Sequence, residues 1–192
     1  MLKIAVFASG RGSNFHSLYN AIKEQHINAE IVVVISNNAT APVLSFAQSL
    51  NIPNFYIEKK QFVNHNLFIH KVLEILQSFN INFIVLAGYL KKIPSEIIEK
   101  YRNKIINIHP SLLPDFGGKG MYGEHVHKAV LDSGVKRTGA TVHFVDEDFD
   151  TGKIILQESI EIEKNDTIES LAKKVLVIEH KLLPQAVAMF VK

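Results

Sequence analysis

The chain has no cysteine. That excludes disulfides and thiolate metal sites, and it fits a reducing compartment such as the cytoplasm. No apolar run approaches the length needed to span a membrane. The first apolar stretch stops at Ser9-Gly10, and the residues after it do not resemble a cleavage site. Dense basic blocks are also missing. Lys59-Lys60, Lys91-Lys92 and Lys173-Lys174 are only pairs, and the formal charge is +2, so nothing asks for nucleic acid. Internal repeats, low-complexity tracts and linkers are absent. What is present is a 47% hydrophobic composition over 192 residues, enough apolar material for one sizeable core. We therefore expect a single domain over residues 1–192.

Short β-rich runs alternate with longer helical patterns. Leu2–Ser9, Glu30–Ser36, Asn54–Ile57, Phe83–Ala87 and Lys104–Ile108 read as strands, and Glu30–Ser36 is near-continuously apolar, as buried parallel strands are. Asn14–Gln25, Pro42–Leu50, Phe62–Phe79 and Ser95–Arg102 read as helices by their apolar spacing. This alternation predicts an α/β fold: an open, mostly parallel sheet with helices on both faces. The pattern then changes. His125–Leu131 reads as a helix, Gly139–Val145 and Lys153–Ile162 as two partly alternating strands, and Ile168–Val191 as a closing helix. The two late strands are expected to form a mixed or antiparallel edge.

Ligands of open α/β sheets bind beyond the carboxyl ends of the strands, and four polar loops fall at such ends. Ser9-Gly-Arg-Gly-Ser-Asn14 joins a strand to a helix. Its glycines allow close backbone approach, and the helix start offers free N–H groups to an anion. It matches neither a P-loop nor GxGxxG, and Ser13 or Asn14 can equally be a plain N-cap. Gly88–Pro94 is a turn before a Pro-started helix, or a site wall. The glycines at 117, 118, 120, 123 and 139 suggest mobile or ligand-hugging backbone. Asp146-Glu-Asp-Phe-Asp150 is a solvated acidic turn, or it delivers one Asp to a histidine; its spacing is out of register for a calcium loop. His125 and His127 diverge on a helix, which does not favour a metal. His16, His26, His65, His70 and His143 read as surface or packing residues.

The fourth loop end carries Asn107-Ile-His-Pro-Ser-Leu-Leu-Pro114. On a strand, Asn107 and His109 share one face. Pro110 cannot donate to the ladder and so marks the strand's end. An amide and an imidazole are thereby set side by side at an open sheet edge.

FASGRGSN, LAGYLKKIP, NIHPSLLP, GATVHFVDEDFDTGKII and IEHKLLPQAV stand in this order along nearly the whole chain. Together they resemble the folate-dependent phosphoribosylglycinamide formyltransferases. NIHPSLLP alone is shared with the wider formyltransferase superfamily. The resemblance implies formyl transfer from the cosubstrate 10-formyltetrahydrofolate to the amino group of glycinamide ribonucleotide, without a metal. It implies Asn107, His109 and Asp150 as the catalytic trio, and Gly12, Ser13 and Asn14 as the substrate-phosphate loop. Glu179 matches the acidic residue that contacts the ribonucleotide. Lys91, Lys92, Ile93, Asn107 and the Val145–Asp150 loop, with Val145 and Asp146, match the folate pocket. The partners implied are two small molecules, in a monomer or homodimer. Two departures stand out: Leu90-Lys91-Lys92 where many members carry an Arg, and the Gly117–Gly123 segment where many have a shorter, Pro-containing turn. Such chemistry asks for an oxyanion donor, which Asn107 can be, and a proton carrier, which His109 can be. An Asp150 close to His109 would raise the imidazole pKa and favour the cation. The alternatives are a formyltetrahydrofolate hydrolase or another superfamily formyltransferase, and a folate- or nucleotide-binding module without catalysis.

Overall fold

The computed structural model describes residues 1–24 and 27–191. The strands are β1 (Leu2–Phe7), β2 (Ala29–Ser36), β3 (Asn54–Tyr56), β4 (Phe83–Leu86), β5 (Ile105–His109), β6 (Arg137–Phe144) and β7 (Ile154–Glu161). The helices are α1 (Ser13–Glu24), α2 (Pro42–Ser49), α3 (His65–Ser78), α4 (Ser95–Lys100), α5 (Glu124–Ser133) and α6 (Ile168–Ala188). All seven strands form one sheet in the order β3-β2-β1-β4-β5-β6-β7. Pairing is parallel from β3 through β5 and antiparallel at β5–β6 and β6–β7.

Strand alternation feeds two cores. Ile4, Val6, Phe83, Val85, Ile106 and Ile108 pack under α1, α2, α5 and α6. Ala5, Phe7, Ile84, Leu86 and Ile105 pack under α3 and α4. Each fully buried Val, Leu, Ile or Phe among them contributes about 1.5–3 kcal/mol relative to exposure. Asn107 and His109 alternate with Ile106 and Ile108, so they share the α3/α4 side of the sheet. In the antiparallel register His143 stands opposite Asn107, and Thr141 opposite His109.

The chain leaves β1 for β2 on one side and later returns to β4 on the other. This reversal opens a crevice beyond the carboxyl ends of β1 and β4. There the Ser9 N–H donates to Gly88 O at 3.0 Å. Ser9 Oγ accepts from the Leu90 N–H at 2.8 Å and donates to Asn37 Oδ1 at 2.5 Å, tying three strand-end loops together.

Several boundaries shift for local reasons. α3 starts at His65, not Phe62, because Asn64 caps it by accepting from the Leu67 N–H at 2.9 Å, and a 3-10 turn occupies Lys59–Gln61. α6 ends at Ala188 rather than Val191. Gly139 lies within β6, which begins at Arg137 rather than at Gly139 itself. A Cβ there would collide with the Glu158 carbonyl oxygen of β7, so the glycine serves close strand packing. Gln25, expected to end the first helix, and His26 lie outside the described residues. No helix among the described residues is long and apolar enough to cross a membrane.

Candidate active site

β5 delivers Asn107 and His109 to the sheet's open end, and the β6–β7 loop delivers Asp150. Asp150 has φ of +59°, a left-handed conformation that Asp tolerates better than most residues. Its Oδ1 lies 3.3 Å from Asn107 Nδ2, 3.5 Å from His109 Nδ1 and 3.5 Å from His143 Nε2. Its Oδ2 accepts from the Gly118 N–H at 2.9 Å. One carboxylate thus gathers Asn107, His109 and a second histidine.

The hydrogen bonds fix the proton positions. His109 Nε2 lies 2.9 Å from Phe116 O. A carbonyl only accepts, so Nε2 carries a proton, and the neutral ring presents its basic Nδ1 to Asp150. His143 Nδ1 donates in the same way to Phe144 O at 2.8 Å, which leaves Nε2 to accept from Asn107 Nδ2 at 3.0 Å. The Asn107 nitrogen, His143 Nε2 and Asp150 Oδ1 form a nearly equilateral triangle. The two N–H bonds of a planar amide diverge by about 120°. Both partners therefore lie within reach of the amide's two N–H groups, one for each.

Burial lowers the His109 pKa, and this outweighs the upward pull of Asp150 and of the Phe116 carbonyl; nearby His143 lowers it further. Asp150 does approach His109, but the cation is not the favoured resting form, contrary to the sequence expectation. For Asp150 itself, burial pushes the carboxyl up. The contacts with His143, His109 and the Gly118 N–H together outweigh it and hold the pKa below the ordinary value.

The loop after β1 forms a second set. Gly12 has φ of +79°, and a Cβ there would meet Val43 Cγ2 at 2.5 Å. Its carbonyl accepts from the His16 N–H at 2.9 Å, opening α1. Ser13 begins α1 and is half-buried. Asn14 is buried and donates from Nδ2 to Glu179 Oε2 of α6 at 2.6 Å, while its Oδ1 is buried without a donor. Burial pushes the Glu179 carboxyl up to about 7, and the Asn14 bond pulls it back. Gly12, Ser13, Asn14 and Glu179 are therefore brought together, with an unpartnered acceptor among them.

The third set is looser. Lys91 and Lys92 are exposed, and Lys92 Nζ stands 3.6 Å from Asp148 Oδ1, linking the β4 loop to the acidic loop. Ile93 buries its side chain in the α3/α4 core, so it can offer a ligand only backbone. The Val145 N–H donates to Ile105 O at 3.0 Å. Asp146 Oδ1 accepts from Thr151 Oγ1 at 2.6 Å and closes its own turn. A cleft of about 570 Å³ takes in Val145 and Asp146 together with Ile98 and Arg102, but none of Asn107, His109 and Asp150.

His143 is the residue that sequence reasoning passed over. It is buried at the centre of the cluster and is not a packing residue alone. The available signal was the strand GATVHFV leading directly into the acidic loop. His125 is exposed and His127 buried, and among the described residues no three His, Cys, Asp or Glu side chains are grouped to hold a metal.

The chain matches the formyl transferase family over residues 2–187. It is 42% identical over 96% of its length to the chloroplastic phosphoribosylglycinamide formyltransferase of Arabidopsis thaliana, of which it spans 64%. It is 40% identical over 97% of its length to the phosphoribosylglycinamide formyltransferase of Bacillus subtilis, of which it spans 93%. The crystal structure of glycinamide ribonucleotide transformylase 1 from Geobacillus kaustophilus superposes with a TM-score of 0.92 at 35% identity, covering 100% of both chains. On this sequence and fold similarity, the chain belongs to the formyl transferase family, among the phosphoribosylglycinamide formyltransferases.

Proposed function

We propose that the chain transfers the formyl group of 10-formyltetrahydrofolate to the amino group of glycinamide ribonucleotide, giving N-formylglycinamide ribonucleotide and tetrahydrofolate in de novo purine biosynthesis. The observation that carries this is the convergence of Asn107, His109 and His143 on one Asp150 carboxylate oxygen at the open end of β5. The substrate amine attacks the formyl carbon, and the carbonyl oxygen becomes an oxyanion. Asn107 turns an N–H from its resting partner to that charge; one such donor is worth roughly 3–4 kcal/mol in the transition state. The amine proton passes to His109 Nδ1, which is free to take it because burial disfavours the resting cation. Asp150, 3.5 Å away, stabilises the imidazolium while it exists. The adduct then collapses. The bond to folate N10 breaks, and N10 takes the proton back.

Gly12, Ser13, Asn14 and Glu179 suit the ribonucleotide. The start of α1 presents free N–H groups to the phosphate. The buried, donor-less Asn14 Oδ1 beside the Glu179 carboxylate suits sugar hydroxyls, which donate. Lys91, Lys92, the Ile93 backbone, Val145 and Asp146 would border the folate, with Lys91 as a point charge for its glutamate carboxylates. Every group used comes from one chain, so a monomer or a homodimer serves equally, and the cysteine-free composition suits the cytoplasm.

Turnover assayed with and without glycinamide ribonucleotide tests this reading. We expect tetrahydrofolate formation only in its presence. Hydrolysis without the ribonucleotide would assign a formyltetrahydrofolate hydrolase. Absence of turnover would leave a binding module.

A further inference from the structure

α1 and α6 meet through two hydrogen bonds about one helical turn apart. The first is Asn14 Nδ2 to Glu179 Oε2. The second is Ser17 Oγ donating to the backbone carbonyl of His180 at 2.9 Å. Asn14 and Ser17 are three residues apart on α1 and share a face, and Glu179 and His180 are consecutive. The second bond has a cause further along α6. Pro184 sits inside that helix and has no N–H, so the His180 carbonyl four residues earlier lacks its ladder partner. A carbonyl within a helix and away from water needs a donor, and the Ser17 hydroxyl of the neighbouring helix supplies it.

We propose that Ser17 and Pro184 are positioning residues for the ribonucleotide seat: the proline frees the His180 carbonyl, Ser17 takes it, and the bond sets the register of α1 against α6 at which Asn14 meets Glu179. This rests on the reading of Asn14 and Glu179 as ribonucleotide ligands. Neither Ser17 nor Pro184 is required to touch substrate. A slip of α1 along α6 would move the phosphate-facing start of α1 and the Glu179 carboxylate apart together, because both hang on the same pair of helices. β5 and the β6–β7 loop, which hold Asn107, His109 and Asp150, would not follow.

Steady-state kinetics of the full chain with both substrates tests the proposal. Ser17→Ala is expected to raise the ribonucleotide KM about three- to tenfold, the range one net hydrogen bond supports, with the folate KM and kcat within about twofold of the parent. Ser17→Thr keeps the hydroxyl and should restore the ribonucleotide KM. Pro184→Ala returns an N–H to the helix ladder, takes the His180 carbonyl from Ser17 and should by itself raise the ribonucleotide KM about as far as Ser17→Ala does. The Ser17→Ala/Pro184→Ala pair should therefore be no worse than Ser17→Ala alone, a non-additivity that a general loss of stability would not produce. An unchanged ribonucleotide KM in Ser17→Ala, or an equal rise in both KM values, overturns the proposal. Glu179→Gln run alongside separates the two possible failures. If it leaves the ribonucleotide KM unmoved, the seat is misassigned and the strut falls with it. If it raises that KM while Ser17→Ala does not, the strut alone is overturned.

Discussion

The backbone N–H of Gly118 donates to Asp150 Oδ2 at 2.9 Å. Two residues earlier, the Phe116 carbonyl accepts from His109 Nε2. The segment after NIHPSLLP therefore holds both members of the His109–Asp150 pair by its backbone. Gly118 has φ of +98° with open space around its missing side chain, so only conformation requires a glycine there. A left-handed conformation costs an ordinary L-residue roughly 1–2 kcal/mol. Gly118→Ala is expected to shift this turn, loosen the bond to Asp150 and lower kcat about tenfold, with both KM values little changed. Kinetics alongside a thermal melt checks this; a normal kcat would show that Asp150 needs no backbone clamp.

Removing the Asp150 charge takes away an upward influence on His109, whose pKa burial already lowers. Asp150→Asn should lower it further, moving the imidazole farther from the cation at neutral pH. Asn tolerates the left-handed φ of +59°, so the backbone is expected to hold. NMR titration of the His109 ring in both proteins measures the change. An unmoved pKa would separate the two residues electrostatically, despite their 3.5 Å approach.

How much of this was legible differs from residue to residue. Ile106 and Ile108 with Pro110 announced a buried strand that stops, and β5 does end at His109. Asn107 and His109 share a face because strand periodicity is local. His143 was not legible, since its place depends on the antiparallel register Asn107↔His143 across 36 residues. The direction of the His109 shift was missed for a related reason. Proximity to an Asp could be guessed from a motif, whereas burial, the larger influence, is set by the packing of the whole fold. Gly12 was read as a ligand-approach glycine. Its neighbour Val43 on α2 gives it a packing reason as well, visible only once α2 is docked.

That double role changes what Gly12→Val should do. The side chain would collide with Val43 and force a β-branched residue into φ of +79°. The expected outcome is a higher ribonucleotide KM together with a lower Tm, with the folate KM less affected. A rise confined to the folate KM would reverse the assignment of the two pockets.

Glu179 makes a pH-dependent stability prediction. Its carboxyl rises from the ordinary 4.5 to about 7 in the folded chain, because burial disfavours the charge. Below about pH 4.5 both folded and unfolded states hold the proton. Between 4.5 and 7 only the folded state does, so stability falls as pH rises, by up to about 3 kcal/mol, and then levels off. Glu179→Gln keeps an acceptor for Asn14 and removes the titration. The variant should therefore gain in Tm relative to the parent between pH 5 and pH 8. A difference in Tm that stays flat across that range would place the Glu179 pKa near its ordinary value.

Asn107 has the role that mutation separates most cleanly. Its Nδ2 lies 3.0 Å from His143 Nε2 and 3.3 Å from Asp150 Oδ1. That orientation is enforced, because turning the amide over would set its oxygen against the Asp150 carboxylate. The amide so held stands at the end of β5, where the formyl oxygen would develop charge and draw an N–H from one of those two partners. An amide carries no proton at neutral pH, so its contribution has to be donation. Asn107→Ala removes the donor while leaving His109 bonded to Phe116 O and facing Asp150. An interaction made mainly in the transition state appears as a fall in kcat with ribonucleotide affinity nearly unchanged. The loss should be on the order of 10²–10³-fold, as for other oxyanion donors. Asn107→Asp replaces the donor with a second negative charge beside Asp150 and should be at least as severe. A folded Asn107→Ala protein with near-parental kcat would refute the oxyanion role and leave Asn107 as an orienting partner of His143 and Asp150.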